Sequence, residues 1–362
     1  MRGMSGALVD HELKSNETSP RSSWRPHQGL PRLALAHLPT PLWRNSSLSA
    51  LIGADLWVKR DDMSAGAEAG NKIRKLEYLL AEALERDANH VITCGAVQSN
   101  HARATALLAK ELGLSTTLLL RAKDPSDPGP ETGNLALDRM VGADCRFITH
   151  AQYADRKRLL GDVAAELAAR GERPYIIPEG GSNGLGAIGY FEAMREIREQ
   201  LECGLGPGLS SRATHGFDLI VHACGSGGTA AGISLGAGVY GVAQHAAVMA
   251  VCDDVDYFNN VVRHIEEEAR GYVPALSRSS DVHVFDQFKG PAYGVPSAEQ
   301  RAFIREVASC CGLIVDPVYS GKALWGLREL LRDPERYGLS FTPSKVLFIH
   351  TGGLPGLLAS PS

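Results

Sequence analysis

Three cations crowd the opening turn of one helical segment. In the stretch AGNKIRKLEYLLAEAL, residues 69–84, Lys72, Arg74 and Lys75 follow Asn71 directly. A helix start already presents backbone N–H groups and partial positive charge, so acidic residues are preferred there. Asn71 reads as the N-cap, and Ile73, Leu76, Leu79, Leu80, Ala83 and Leu84 form the apolar stripe. Lys72 and Lys75, three positions apart, share one face. Alone they read as solvated lysines; opposite an anion they read as a site.

A place for such an anion lies in ACGSGGTAAG, where a strand runs through Gly225, Ser226, Gly227, Gly228 and Thr229 into a helix. Glycines let successive N–H groups converge on one phosphate, and two hydroxyls add donors. A dinucleotide reading also exists: Gly225 and Gly227 begin a GxGxxA-like turn, and Asp253 and Asp254 end the next strand as ribose-binding acids would. The 28 residues from Gly225 to Asp253 are long for that motif, and the hydroxyls suit a terminal phosphate better. A lysine paired with a single-phosphate cradle is what a pyridoxal phosphate Schiff base requires. The helix N-terminus and a neighbouring cation would lower the pKa of Lys72, and Lys75 would meet the phosphate, with its charge of about −1.5 to −2 near neutral pH.

Polar groups elsewhere complete a candidate centre. Gln98, Ser99, Asn100 and His101 stand together after the strand VITC and before a helix, a suitable seat for a carboxylate, although Ser99 or Asn100 also serves as an ordinary cap. Tyr293, Tyr319, Ser320 and Thr351 sit beside glycines or strand ends, and the two tyrosines read either as proton shuttles or as packed aromatics. Two motif matches fail on context. The GxSxG of residues 232–236 falls inside a helix, and GAEAGNK has the wrong spacing for a P-loop. No metal-ligand spacing occurs.

The elements that must position these residues alternate between strand and helix. PTPLWR and DLWVKRDD give an extended entry and a strand; HVITC, TTLLL, CRFI and PYIIP then alternate with helices opening near Asn100, Gly133 and Asp155. A second set has a long helix to Glu202, the strand FDLIVHA, the helix after Gly228, the strand AVMAVC, helices from Ser297 and Ser320, and the strand KVLFIH. Short apolar strands separated by helices predict an α/β fold of two lobes, each an open, mostly parallel twisted sheet flanked by helices. The expected division is a disordered tail over 1–30, a large domain from 31–77 plus 189–362, and a small domain over 78–188. Ligands in such folds bind at the carboxyl ends of strands, in the crevice.

The whole chain, 362 residues with a net charge of −4, leaves no electrostatic footprint for nucleic acid. The uncharged run from Gly225 to Cys252 is rich in glycine and reads as a buried helix and strand rather than a membrane span. Seven cysteines without CxxC fit a reducing compartment and read as small buried or partly buried hydrophobes. The first residues lack the apolar run of a signal peptide, so the sequons at Asn16 and Asn45 are chance matches. A cytoplasmic location is expected, or a mitochondrial one if the tail derives from a targeting segment.

The motifs GNKIRKLEYL, QSNHARAT, GNLALDRMVGA, PEGGSNGLGAIGY, CGSGGTAAGISLG, CDDVDYF, DPVYSGKA and IHTGG together resemble the pyridoxal phosphate enzymes of the tryptophan synthase β-like fold (fold type II). The resemblance runs from about Leu33 to Leu358 and lies in the branch shared by D-cysteine desulfhydrase and 1-aminocyclopropane-1-carboxylate deaminase. It implies a Schiff base at Lys72 and phosphate binding by Gly225 to Thr229. It also implies Ser99, Asn100 and His101 facing the substrate carboxylate and the cofactor ring, with Tyr293 and Tyr319 on the substrate side.

Two positions separate the branches: the deaminase carries Glu where this chain has Ser320, and Leu where it has Thr351. A carboxylate beside the pyridine nitrogen makes the ring the strong electron sink that opening a cyclopropane needs, whereas loss of a thiolate needs less. The resemblance therefore implies a homodimeric lyase that releases hydrogen sulfide from D-cysteine. Alternatives are the deaminase, elimination from cysteate or β-chloro-D-alanine, an NAD-dependent oxidoreductase, and a non-catalytic pyridoxal phosphate-binding protein. The implied partner is a small amino-acid substrate, with no nucleic acid and no membrane.

Overall fold

A computed structural model describes residues 29–207, 216–273, 276 and 278–359. The expected tail lies outside them, apart from Gly29 and Leu30. The chain opens with β1 (Leu42–Arg44), α1 (Ser46–Ile52), β2 (Asp55–Arg60), α2 (Lys72–Glu85), β3 (His90–Ala96), α3 (Asn100–Glu111), β4 (Ser115–Arg121), α4 (Gly133–Met140) and β5 (Asp144–Ile148). It continues with α5 (His150–Ala154), α6 (Arg156–Ala169), β6 (Pro174–Ile176), α7 (Gly184–Glu202), β7 (Phe217–Cys224), α8 (Gly228–Tyr240) and β8 (Ala243–Ala250). The last elements are α9 (Val255–Tyr272), β9 (Asp281–Phe285), α10 (Ala298–Cys311), α11 (Ser320–Arg332), β10 (Lys345–His350) and α12 (Leu354–Ala359).

Two sheets result, one of order β1-β2-β10-β7-β8-β9 and one of order β5-β4-β3-β6. Every neighbouring pair is parallel except β1 with β2. Parallel pairing demands a crossover between strands, which is why helices alternate with them and cover both faces. Helix α8 is apolar all round because it lies against both α7 and α9. Gly232 permits that approach: a Cβ there would stand 2.3 Å from the Ala187 carbonyl oxygen. The GxSxG match is thus helix interior, as its context indicates.

Several expectations need correcting. Helix α9 and strand β9 were absent from the predicted order, although Phe258, Val262, Ile265 and Ala269 of α9 are buried at helical spacing. All seven cysteines are free thiols, but Cys203 and Cys310 are exposed rather than buried. Among the described residues no helix is long and apolar enough to cross a membrane.

Arg74, which had no evident partner in sequence, is the centre of a buried ion cluster. It donates to Asp61 Oδ2 and Oδ1 at 2.9 and 2.8 Å and to Glu196 Oε2 and Oε1 at 2.8 and 3.0 Å. Lys59 pairs with Glu196 from the other side, and the Tyr190 hydroxyl donates to Asp61. Burial raises the Glu196 carboxyl, but Arg74 and Lys59 outweigh it and bring its pKa down to about 2. A depressed carboxylate pKa stabilises the fold at pH above the ordinary glutamate value, and that contribution is lost as pH falls. Unfolding monitored across pH is therefore expected to show stability falling between about pH 4.5 and about 2, and Glu196→Gln is expected to flatten that dependence. Arg74→Met leaves two buried carboxylates short of their partner and is expected to cost about 3–5 kcal/mol in denaturant unfolding.

Candidate active site

A cavity of about 390 Å³ opens where the carboxyl ends of β3 and β4 face those of β7 and β8. Its walls include Asn71, Lys72, Ser99, Asn100, His101, Gly225, Ser226, Gly227, Thr229, Tyr293, Tyr319 and Thr351. Most of the residues singled out in sequence are thus brought together. Gln98, Lys75, Gly228 and Ser320 are not on the wall.

Lys72 enters the cavity from the first turn of α2. Its Nζ donates to Asn71 Oδ1 at 3.1 Å, and Asn71 Nδ2 donates to Thr229 Oγ1 at 3.1 Å. Asn71 therefore links the amine to the glycine turn. It is not the side-chain cap expected from sequence: its backbone is already helical and it makes no capping bond. The helix start is held by backbone instead, with Asn71 N donating to the Thr351 carbonyl at 3.1 Å. The pKa of Lys72 is lowered to about 8, chiefly by burial, with Cys224 opposing and the Arg103 charge reinforcing. The helix terminus and near cation invoked from sequence are secondary to that desolvation.

Lys75 lies one layer behind. Its Nζ donates to the Gly180 carbonyl at 3.1 Å and to Ser182 Oγ at 3.2 Å. Ser182 Oγ in turn stands 2.8 Å from Ser226 Oγ and accepts from Gly228 N at 3.2 Å. Lys75 thus braces the glycine turn from beneath rather than facing into the cavity, a correction to the contact expected from sequence. Burial, then repulsion from Lys72, pushes its pKa well down. Gly227 has φ +83°, in the left-handed region that favours glycine, and it turns the chain from β7 into α8.

The polar turn before α3 divides its side chains between the cavity and the protein interior. Ser99 caps α3 by accepting from Ala102 N at 3.2 Å and also lines the cavity. Asn100 is fixed by Asn134, whose Nδ2 donates to Asn100 Oδ1 at 3.0 Å. His101 is buried, with Nε2 2.8 Å from Thr93 Oγ1. Since the Thr93 hydroxyl donates to the Ile177 carbonyl, Nε2 carries the ring proton. Gln98 instead fastens α4: it donates to the Thr132 carbonyl and accepts from Asn134 N, both at 2.9 Å.

On the opposite wall the Tyr293 and Tyr319 hydroxyls are 2.5 Å apart, with rings edge to face. Burial raises both pKa values, that of Tyr293 to about 12, so both are proton donors near neutral pH. Ser320 sits behind Tyr319, its hydroxyl donating to Asp316 Oδ1 at 2.5 Å. Asp316 also accepts from Val318 N and Tyr319 N, both at 2.9 Å, so this turn presents the tyrosine and is not itself cavity wall. Asp253 reaches the cavity, whereas Asp254 caps α9 by accepting from Tyr257 N. Sequence reasoning missed Asn71 as a linking residue, and it missed Arg121, Tyr153, Arg156 and Glu179, which also line the cavity. Their signal was position: Arg121 ends strand β4, and Glu179 is the second residue of the quoted PEGGSNG motif.

These residues fit a phosphate-bearing aldehyde. Lys72 and Lys75 are two amines on one helix turn, bonded only to neutral groups, beside a helix that begins with no side-chain cap. An anion at that helix start and a carbonyl at Lys72 answer both features. A parallel α/β fold with a desolvated lysine beside a single-phosphate turn defines the pyridoxal phosphate class, fold type II.

The chain belongs to the pyridoxal-phosphate dependent enzyme family, whose sequence profile matches residues 33–352. It is 42% identical over 361 residues to "Bifunctional D-cysteine desulfhydrase/1-aminocyclopropane-1-carboxylate deaminase, mitochondrial" of Arabidopsis thaliana, covering 97% of this chain and 85% of the relative. It is 36% identical over 345 residues to a D-cysteine desulfhydrase of Serratia proteamaculans, covering 91% and 96%. The crystal structure of an ACC deaminase homologue superposes with TM-score 0.78 at 36% identity, covering 91% and 94%.

The cradle geometry makes one substitution informative. A Cβ on Gly228 would fall 2.8 Å from Ser182 Oγ and 2.9 Å from Lys75 Nζ, displacing the brace beneath the turn. Gly228→Ala is expected to weaken pyridoxal phosphate binding at least about tenfold, roughly 1.4 kcal/mol, in a titration of visible absorption. Unchanged affinity would contradict the assignment of this turn as the phosphate seat.

Proposed function

We propose that this protein is a D-cysteine desulfhydrase that converts D-cysteine to pyruvate, ammonia and hydrogen sulfide. The observation that carries the proposal is the placement of the Lys72 amine between the phosphate turn, through Asn71 and Thr229, and a cavity walled by the Tyr293–Tyr319 pair. The names of the Arabidopsis and Serratia relatives support the substrate.

Bound pyridoxal phosphate supplies the electron sink that makes the substrate α-proton acidic. The chain's residues do the rest. The N-terminus of α3, with Ser99, Asn100 and His101, receives the substrate carboxylate. Lys72, with its pKa near 8, is neutral often enough to take the α-proton. The tyrosine pair keeps its protons near neutral pH and supplies one to the departing sulfur. Lys75 and Ser182 hold the phosphate turn in register from behind.

A second reading, 1-aminocyclopropane-1-carboxylate deaminase activity, is favoured by the name of the Arabidopsis relative. Against it stands Ser320, which puts a hydroxyl committed to Asp316 where the resemblance gives the deaminase a carboxylate. The proposal includes a homodimer, the domain division at 31–77 plus 189–362 and 78–188, and a cytoplasmic location. Mitochondrial residence is the second location, as named for the Arabidopsis relative.

Purified protein is expected to absorb in the visible, and on addition of D-cysteine to release sulfide and pyruvate in equal amounts. Lys72→Ala is expected to lose both the lysine-dependent absorption and sulfide release. Turnover of 1-aminocyclopropane-1-carboxylate without turnover of D-cysteine would replace the first reading by the second, and sulfide release by Lys72→Ala at the parent rate would overturn both.

A further inference from the structure

The outer wall of the cavity carries more charge than holding a phosphate and a carboxylate requires. Two arginines, Arg121 and Arg156, and two carboxylates, Glu179 and Asp253, line it. Arg156 is paired, with Nε 2.9 Å from Glu179 Oε2, and Glu179 also accepts from the Tyr153 hydroxyl at 2.6 Å. The Cys252 thiol donates to the Gly225 carbonyl at 3.6 Å, and Asp253 beside it adds its carboxylate to the wall. Arg121 forms no ion pair among the described residues. It ends β4 at the sheet's carboxyl edge, its guanidinium 4.8 Å from the Tyr153 ring centre and 5.4 Å from that of Tyr293. Two aromatic faces hold the cation in place without cancelling its charge.

Its position follows from a short chain of contacts. A Cβ on Gly225 would meet the Tyr319 ring at 3.2 Å, so Tyr319 packs on the phosphate turn. Tyr319 touches Tyr293 through the 2.5 Å hydroxyl contact, and Arg121 lies over Tyr293. Arg121 is therefore joined to the phosphate turn through the tyrosine pair, on the same cavity wall. The phosphate is assigned to that turn, and the α-carboxylate to the start of α3. One further anion arises in the reaction. When the Cβ–S bond breaks, both bonding electrons leave with sulfur as hydrosulfide, which takes its proton from the tyrosine pair only after departure; the α-proton has already passed to Lys72.

We infer that Arg121 is the specificity-determining residue for the leaving group: its guanidinium, fixed between Tyr153 and Tyr293, stabilises the negative charge that develops on the departing sulfur. The inference rests on the elimination reading above. It predicts dependence on the leaving group. Hydrosulfide, the conjugate base of a much weaker acid than hydrogen chloride, is a poorer leaving group than chloride and gains more from a preorganised cation.

The test compares the holoenzyme and its Arg121→Gln and Arg121→Lys variants on D-cysteine and β-chloro-D-alanine, with pyruvate as the readout. Arg121→Gln is expected to lower kcat for D-cysteine by about 100-fold with little change in KM, the range found when one preorganised donor is removed. Turnover of β-chloro-D-alanine should change no more than about threefold, about 0.7 kcal/mol, and Arg121→Lys should recover part of the D-cysteine rate. Equal losses on both substrates, or no loss on D-cysteine, would overturn the role of Arg121 while leaving the elimination reading intact. A parent enzyme that turns over neither substrate would instead defeat that reading and this inference with it.

Discussion

The Arg74 ion cluster sets the direction in which the first turn of α2 faces, and the site depends on that direction. At about 100° per residue, Arg74 projects away from Lys72 and Lys75. Its guanidinium is locked between Asp61, just after β2, and Glu196, in the middle of α7. With that side of the turn pinned, Lys72 is committed to the cavity and Lys75 to the layer beneath the glycine turn. The pinned side is neutralised by buried carboxylates; the cavity side has none bonded to it. The crowding of cations at one helix start is thus two arrangements back to back, one closed within the protein and one open to an anionic cofactor.

From that commitment the division of labour between the two lysines follows. Lys72 reaches the cavity and is tied through Asn71 to Thr229, at the beginning of α8. Lys75, three residues on, is one turn deeper, where the Gly180 carbonyl and Ser182 take its protons. Desolvation depresses both amines, but only Lys72 meets the space where a carbonyl can approach. Glycine at 228 keeps the serine brace close beneath the turn, and the α/β crossovers carry every other wall residue to a strand's carboxyl end.

Much of this was legible in sequence because it was written in local patterns. The alternation of apolar strands and helices gave the sheets, and KVLFIH coincides with β10. The glycine turn after β7 could be read as a phosphate seat because its chemistry is contained in five consecutive residues. What escaped was non-local. Nothing near Arg74 in the chain names Glu196 as its partner, and nothing in QSN says that Gln98 turns toward Thr132 while Ser99 turns inward. Lys75 was assigned to the cofactor by spacing and Ser320 by the resemblance, yet both side chains lie one layer back, on Ser182 and Asp316. Helix α9 was a different failure: its period was present but overshadowed by the acidic run at Asp253 to Asp256.

The account stands on Lys72, rather than Lys75, being the amine that joins the cofactor. Borohydride reduction of the pyridoxal phosphate-loaded protein, followed by digestion and mass spectrometry, reads this directly. The pyridoxyl mass is expected on Lys72 alone, with Lys75 unmodified. The same mass on Lys75, or on a lysine remote from the cavity, would contradict the account.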